Sequence, residues 1–187
     1  METVLSLLVG IGLSAACGFR VFVPLLVVSI AAISGHLVLA PGFEWLGSLP
    51  ALIAFSVATC LEIAGYYIPW IDHLLDSVST PAAVVAGTVI TASMVTDVSP
   101  FLKWTLAAIA GGGVAGLVQG TTVLARGAST AGTGGLGNPL LATVELGGSI
   151  VTSILAIVAP VFLALLLIGL VFFVGRKLIS QKITAEA

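Results

Sequence analysis

Apolar runs, interrupted by glycine, proline or short polar stretches, set the rhythm of this chain from Val4 to Gly175. The first runs from Val4 to Ile33 and is broken only by Gly18-Phe19-Arg20 and Pro24. About 30 helical residues would reach ~45 Å, more than a hydrocarbon core of ~30 Å needs. This segment is therefore one crossing broken near Gly18 to Pro24, or two half-helices in a re-entrant hairpin that lines a protein interior. The broken crossing over 4–34 is the preferred expectation. Residues 35–48, with Pro41-Gly42, read as a loop. A second crossing is expected over 49–68, flanked by Trp45 and by Tyr66, Tyr67 and Trp70, since such aromatics favour the two water interfaces.

Residues 69–80 read as a short amphipathic surface stretch. Ser79 or Thr80 before Pro81 is a helix-opening signal, so a third crossing is placed at 81–96. Asp97-Val-Ser-Pro closes it, and a fourth follows at 102–125. Residues 127–139 hold so many glycines that a loop is expected. The apolar sequence after Leu140 is again too long for one span, and Pro160 divides it into 140–159 and 160–175, with 176–187 as a tail. The expected fold is all-α: a polytopic membrane protein of about six transmembrane helices, some broken or re-entrant, in one domain over 1–187.

Composition agrees, with 59% hydrophobic and 7% charged residues against the quarter or so that is charged in soluble domains. Mean hydropathy is +1.25. A net charge of -2 with scattered Lys and Arg offers nucleic acid no basic surface, so lipid is the expected neighbour. Cys17 and Cys60 lie in apolar runs and read as packing residues. Glu2 stands where a secretory leader would carry basic residues, so the first apolar run is expected to stay in the membrane. Arg176, Lys177 and Lys182 place the C-terminus in the cytoplasm by the positive-inside rule, and Arg126 puts the glycine-rich loop on the same side.

Against this background Arg20, Glu62 and Glu145 stand out as ionisable groups inside apolar stretches. Each costs about 2.5 to 3.5 kcal/mol at the bilayer centre on insertion scales, so each is expected to face a protein interior, a wet cavity or a partner charge. They form the candidate intramembrane polar site, either a structural ion pair or a place where Arg20 receives an anion while a glutamate carries a proton or cation. Asp72, His73 and Asp76 share one side of the 69–80 stretch, as a polar cap or a thin metal shell. Gly10, Ser14 and Gly18 recur every four residues, as do Gly112, Gly116 and Gly120, and the two faces are expected to pack on each other. No catalytic motif and no cofactor signature is present, so an enzyme is not expected.

The order Gly18-Phe-Arg-Val-Phe-Val-Pro, Ser34-Gly-His, Glu62, Pro69-Trp-Ile-Asp-His-Leu-Leu-Asp, Asp97-Val-Ser-Pro, Asn138-Pro and Glu145 resembles a bacterial integral-membrane family known only as a domain of unknown function, family four-one-two-six. The likeness extends over nearly the whole chain. It implies a small multi-pass protein of the bacterial cytoplasmic membrane and supplies no substrate. The functional expectation is a small channel or transporter-like protein for a small or anionic solute or ion, possible homo-oligomer included. Its rivals are a non-catalytic scaffold subunit of a membrane complex and, more remotely, an enzyme acting on lipid headgroups.

Overall fold

A computed structural model describes residues 2–68, 71–169 and 176; the side chains of Asp72 and His73 lie outside the described residues, as do Trp70 and the segments 170–175 and 177–187 of the last crossing and tail. The described residues form helices joined by turns and short loops, with no strand among them. In chain order the helices are α1 (Glu2–Cys17), α2 (Phe22–Ile33), α3 (Leu49–Tyr66), α4 (Ile71–Met94), α5 (Pro100–Leu106), α6 (Gly113–Thr133) and α7 (Asn138–Val158). A π-helical stretch, Ala107–Gly112, joins α5 to α6, and a short apolar helix α8 covers Pro160–Gly169.

Local chemistry sets several of these boundaries. Ser48 and Ser99 accept hydrogen bonds from the Ala51 and Leu102 amides at 3.3 Å, capping α3 and α5 just ahead of Pro50 and Pro100. Gly134, at φ 64°, supplies the left-handed turn that ends α6. Among the described residues four helices are long and apolar enough to cross a membrane: Leu49–Tyr66, Leu74–Met94, Pro100–Thr133 through its π stretch, and Asn138–Val158. Their outer faces carry exposed apolar residues such as Ile53, Val57, Val85, Leu117, Val151 and Ile154. The composition and faces are those of a multi-pass membrane protein.

The first apolar run departs from the broken crossing. Along α1, Gly10 lies against Thr91 and Ser14 donates to the Gly87 carbonyl at 2.7 Å, so α1 runs antiparallel to α4. Ser149 donates to the Ala16 carbonyl and Gly12 lies against Ala156, so α1 is antiparallel to α7 as well. At the start of α2, Glu62 meets Val21 and Phe22; at its end, Gly47 meets Ala32; thus α2 and α3 are antiparallel. The Ala40 amide then donates to the Ser93 carbonyl at 2.7 Å, tying the loop after α2 to the end of the bundle where α1 begins. The chain therefore reverses between Cys17 and Phe22, and α1 and α2 form a helical hairpin. Hydropathy alone reads the same for both arrangements; the contacts at the outer ends separate them.

Three further boundaries move. The stretch expected at the surface is helical from Ile71, and Pro81 sits inside α4 instead of opening it. The glycine-rich loop shrinks to a turn at 134–137, because α6 runs to Thr133 and α7 starts at Asn138. In the first of these places Asp76 makes the buried contact with Arg126 described below; in the second Asn138 Nδ2 donates to Thr130 Oγ1 at 3.1 Å across the turn. The two small-residue faces do not pack chiefly on each other: Gly10 and Ser14 meet α4, and so do Gly112, beside Thr88 and Val84, and Gly116, beside Val84. Gly18 does meet α6, but at Ala115 and Val118, and Gly120 has nothing near it. Helix α4 supplies the small residues that receive both faces. A Cβ added at its Gly87 would stand 2.6 Å from that of Ala115 and 3.3 Å from that of Ser14.

Candidate functional site

The hairpin tip, the end of α3, the early turns of α4 and α7 and the last turns of α6 converge on one buried polar cluster. Each helix turns a polar stripe inward at helical spacing: Thr59, Glu62 and Tyr66 on α3; Gln119, Thr122 and Arg126 on α6; Asn138, Glu145, Ser149 and Ser153 on α7, all buried. With apolar residues facing outward, the helices present polar faces to one another.

Arg20, 1% exposed, follows the break after α1 and donates from Nη2 to the Ala142 carbonyl at 2.9 Å. The same nitrogen lies 3.6 Å from Glu145 Oε2. Arg126, 3% exposed, grips Glu145 through both sides of its fork, with Nε to Oε1 at 3.1 Å and Nη2 to Oε2. Its Nη1 donates to Asp76 Oδ1 at 3.1 Å. The Tyr66 ring lies between the two guanidiniums, with Arg20 Cζ 3.8 Å and Arg126 Cζ 3.9 Å from its centroid, while its hydroxyl donates to Ser79 at 3.0 Å. Glu62 stands on the other side of the tip and accepts from the Val21 amide at 2.8 Å and the Phe22 amide at 3.1 Å. That carboxylate caps α2 from another helix, where it also meets the positive end of the helix dipole.

Of the expected polar residues, Arg20 and Glu145 come together directly, and Glu62 joins them through the backbone of the tip. Asp76, expected at a surface cap or metal shell, is buried and turned toward Arg126. Among the described residues no three His, Cys, Asp or Glu side chains converge as metal ligands. Arg126 was expected to mark a cytoplasmic loop; instead it is the centre of the cluster. The signal for it lay in the sequence, since Gln119, Thr122 and Arg126 share one helical face. Tyr66 was expected as an interfacial anchor, and its position between two cations has no counterpart in a single-sequence pattern.

The cluster holds three carboxylates, Glu62, Asp76 and Glu145, and two guanidiniums, Arg20 and Arg126, all buried. Pairing offsets much of the cost of holding charge inside apolar helices. It does not use all the donors: among the described residues, Nε and Nη1 of Arg20 have no hydrogen-bond partner. An arginine held by one carbonyl and one shared carboxylate, with donors to spare, has the chemistry of an oxyanion receptor.

Neither the curated proteins nor the solved structures contain a match to this chain. The profile of one family spans residues 7–179, and the chain accordingly belongs to the family described as a domain of unknown function, DUF4126.

Proposed function

We propose that this protein is a small, non-catalytic transporter or channel-like protein of a bacterial cytoplasmic membrane, which handles a small anionic solute or ion at the cluster around Arg20, Glu62 and Glu145. The observation that carries the reading is a buried arginine at the tip of a helical hairpin, with donors unused among the described residues, beside Glu145 of α7 and against the Tyr66 ring of α3. Interrupted helices with their ends at a polar centre are how many transporters build a solute site within the membrane. In this reading α3, α4, the α5–α6 path and α7 cross the bilayer, the hairpin enters and leaves at one face, and the C-terminal tail lies in the cytoplasm.

The test is flux into proteoliposomes loaded with a pH-sensitive dye, with inward gradients of phosphate, sulfate, chloride or acetate applied in turn. The expected result is anion-dependent flux that Glu145→Gln abolishes while the variant still purifies as a folded protein. Silence with every anion in wild-type proteoliposomes, whatever the stability of Glu145→Gln, would move the cluster to a purely structural role in a membrane scaffold.

A further inference from the structure

Both oxygens of Glu62 accept from backbone amides at the first turn of a helix. Helix α2 is 12 residues long, enough for a developed dipole, and its amino end is a natural place for an oxyanion. Arg20 stands two residues before the first residue of α2 and is itself buried, with Nε and Nη1 meeting no acceptor among the described residues. The Arg20 guanidinium lies 3.8 Å from the ring centroid of Tyr66, which is one helical turn from Glu62 on the same buried face of α3. A carboxylate therefore occupies a position furnished with two amide donors and flanked by an arginine that has more donors to give.

We propose that the amino end of α2 together with Arg20 is a site for a tetrahedral oxyanion of the phosphate or sulfate class, and that Glu62 is a built-in competitor for it. The incoming anion takes the Val21 and Phe22 amides and the spare Arg20 donors, and the displaced Glu62 takes up a proton from solvent. One anion and one proton then enter the cluster together, so that its charge does not grow by the full charge of the anion. The charged and titratable groups that act on Glu62 come from several elements: Arg20 of the tip, Arg126 of α6 and Cys17 of α1. This inference deepens, and rests on, the anion-site reading of the previous section.

The test is equilibrium binding of sulfate, which carries no titrating proton of its own near neutral pH, to the full chain in detergent. Calorimetry in two buffers of different ionisation enthalpy gives affinity and proton uptake together. Wild type is expected to take up about one proton per sulfate. The near-isosteric Glu62→Gln is expected to bind about tenfold tighter, the scale of one capping interaction, with no proton uptake. Arg20→Lys is expected to bind more weakly than wild type, and its folded state is checked by its melting temperature. Displacement of sulfate by inorganic phosphate but not by a short-chain phosphatidate identifies a free solute; displacement by the phosphatidate identifies a lipid headgroup, and either agrees with the site. Binding by Glu62→Gln no tighter than wild type, or wild-type binding without proton uptake, overturns it. Tight binding by Glu62→Gln with no flux in proteoliposomes would uphold this site and remove the transport reading, whereas flux without sulfate binding would do the reverse.

Discussion

Replacing Arg126 with leucine tests whether the cluster is held by charge pairing. The substitution removes two bonds to Glu145, one to Asp76 at 3.1 Å, and the stacking on Tyr66. Three hydrogen bonds to charged groups sum to about 5 to 9 kcal/mol on single-bond values. The realised loss is smaller, because Arg20 remains 3.6 Å from Glu145 and a stranded carboxylate can take a proton. Removing one partner of a buried ion pair costs about 3 to 5 kcal/mol, and that is the expected range. For a chain of this size it lowers the melting temperature by roughly 6 to 20 °C, read by size-exclusion of heated samples in detergent. Arg126→Leu with Glu145→Leu should destabilise by less than the two single changes added together, with a coupling of about 1 to 3 kcal/mol, because neither charge is then stranded. A single variant that melts with the wild type, or a double variant whose loss is the plain sum, would refute the pairing argument.

Gly87→Ala should lower the melting temperature measurably, since its Cβ would meet Ala115 at 2.6 Å and the Gly111 carbonyl at 3.0 Å, whereas Gly113→Ala, with open space around it, should be neutral or gain up to about 1 kcal/mol of helix stability. Glu62→Ala should speed hydrogen exchange at the Val21 and Phe22 amides by roughly 2- to 30-fold, as expected for loss of about 0.5 to 2 kcal/mol of capping, and unchanged protection there would count against the cap. Tyr66→Phe should cost only the bond to Ser79, about 0.5 to 1.5 kcal/mol, while Tyr66→Leu should cost more by removing the ring that both arginines face; equal melting temperatures for the two would remove the stacking from the account.

The all-helical architecture and its apolar helices were legible because hydropathy reports the cost of burying residues in lipid, and that cost is local. Arg20, Glu62 and Glu145 could be singled out for the same reason: each is a charge where charge is expensive. What could not be read locally is which end of a helix meets which other. At the reversal between Gly18 and Phe22 the free amides are met by Glu62, far along the chain, and Asp76 and Arg126, from a stretch read as surface and from the border of a segment read as loop, meet across the bundle. Arg126 was misread because the rule that places cations in cytoplasmic loops treats each cation as solvated. A cation beside a glycine-rich segment satisfies that rule equally well when the segment is helical and the cation points inward.

The sequence separations within the cluster bear on how the protein is made. Val21 must wait for Glu62, 41 residues later, Asp76 for Arg126, 50 later, and Arg20 for the Ala142 carbonyl, 122 later. In the membrane reading proposed above, synthesis delivers the hairpin with an uncompensated guanidinium at its tip, and the first buried carboxylate to follow is Glu62 of α3. Only when α7 has emerged are all the charges present to close the cluster. Insertion of the early helices and locking of the bundle are thus separate events in time, and the hairpin is the element that must remain unseated between them.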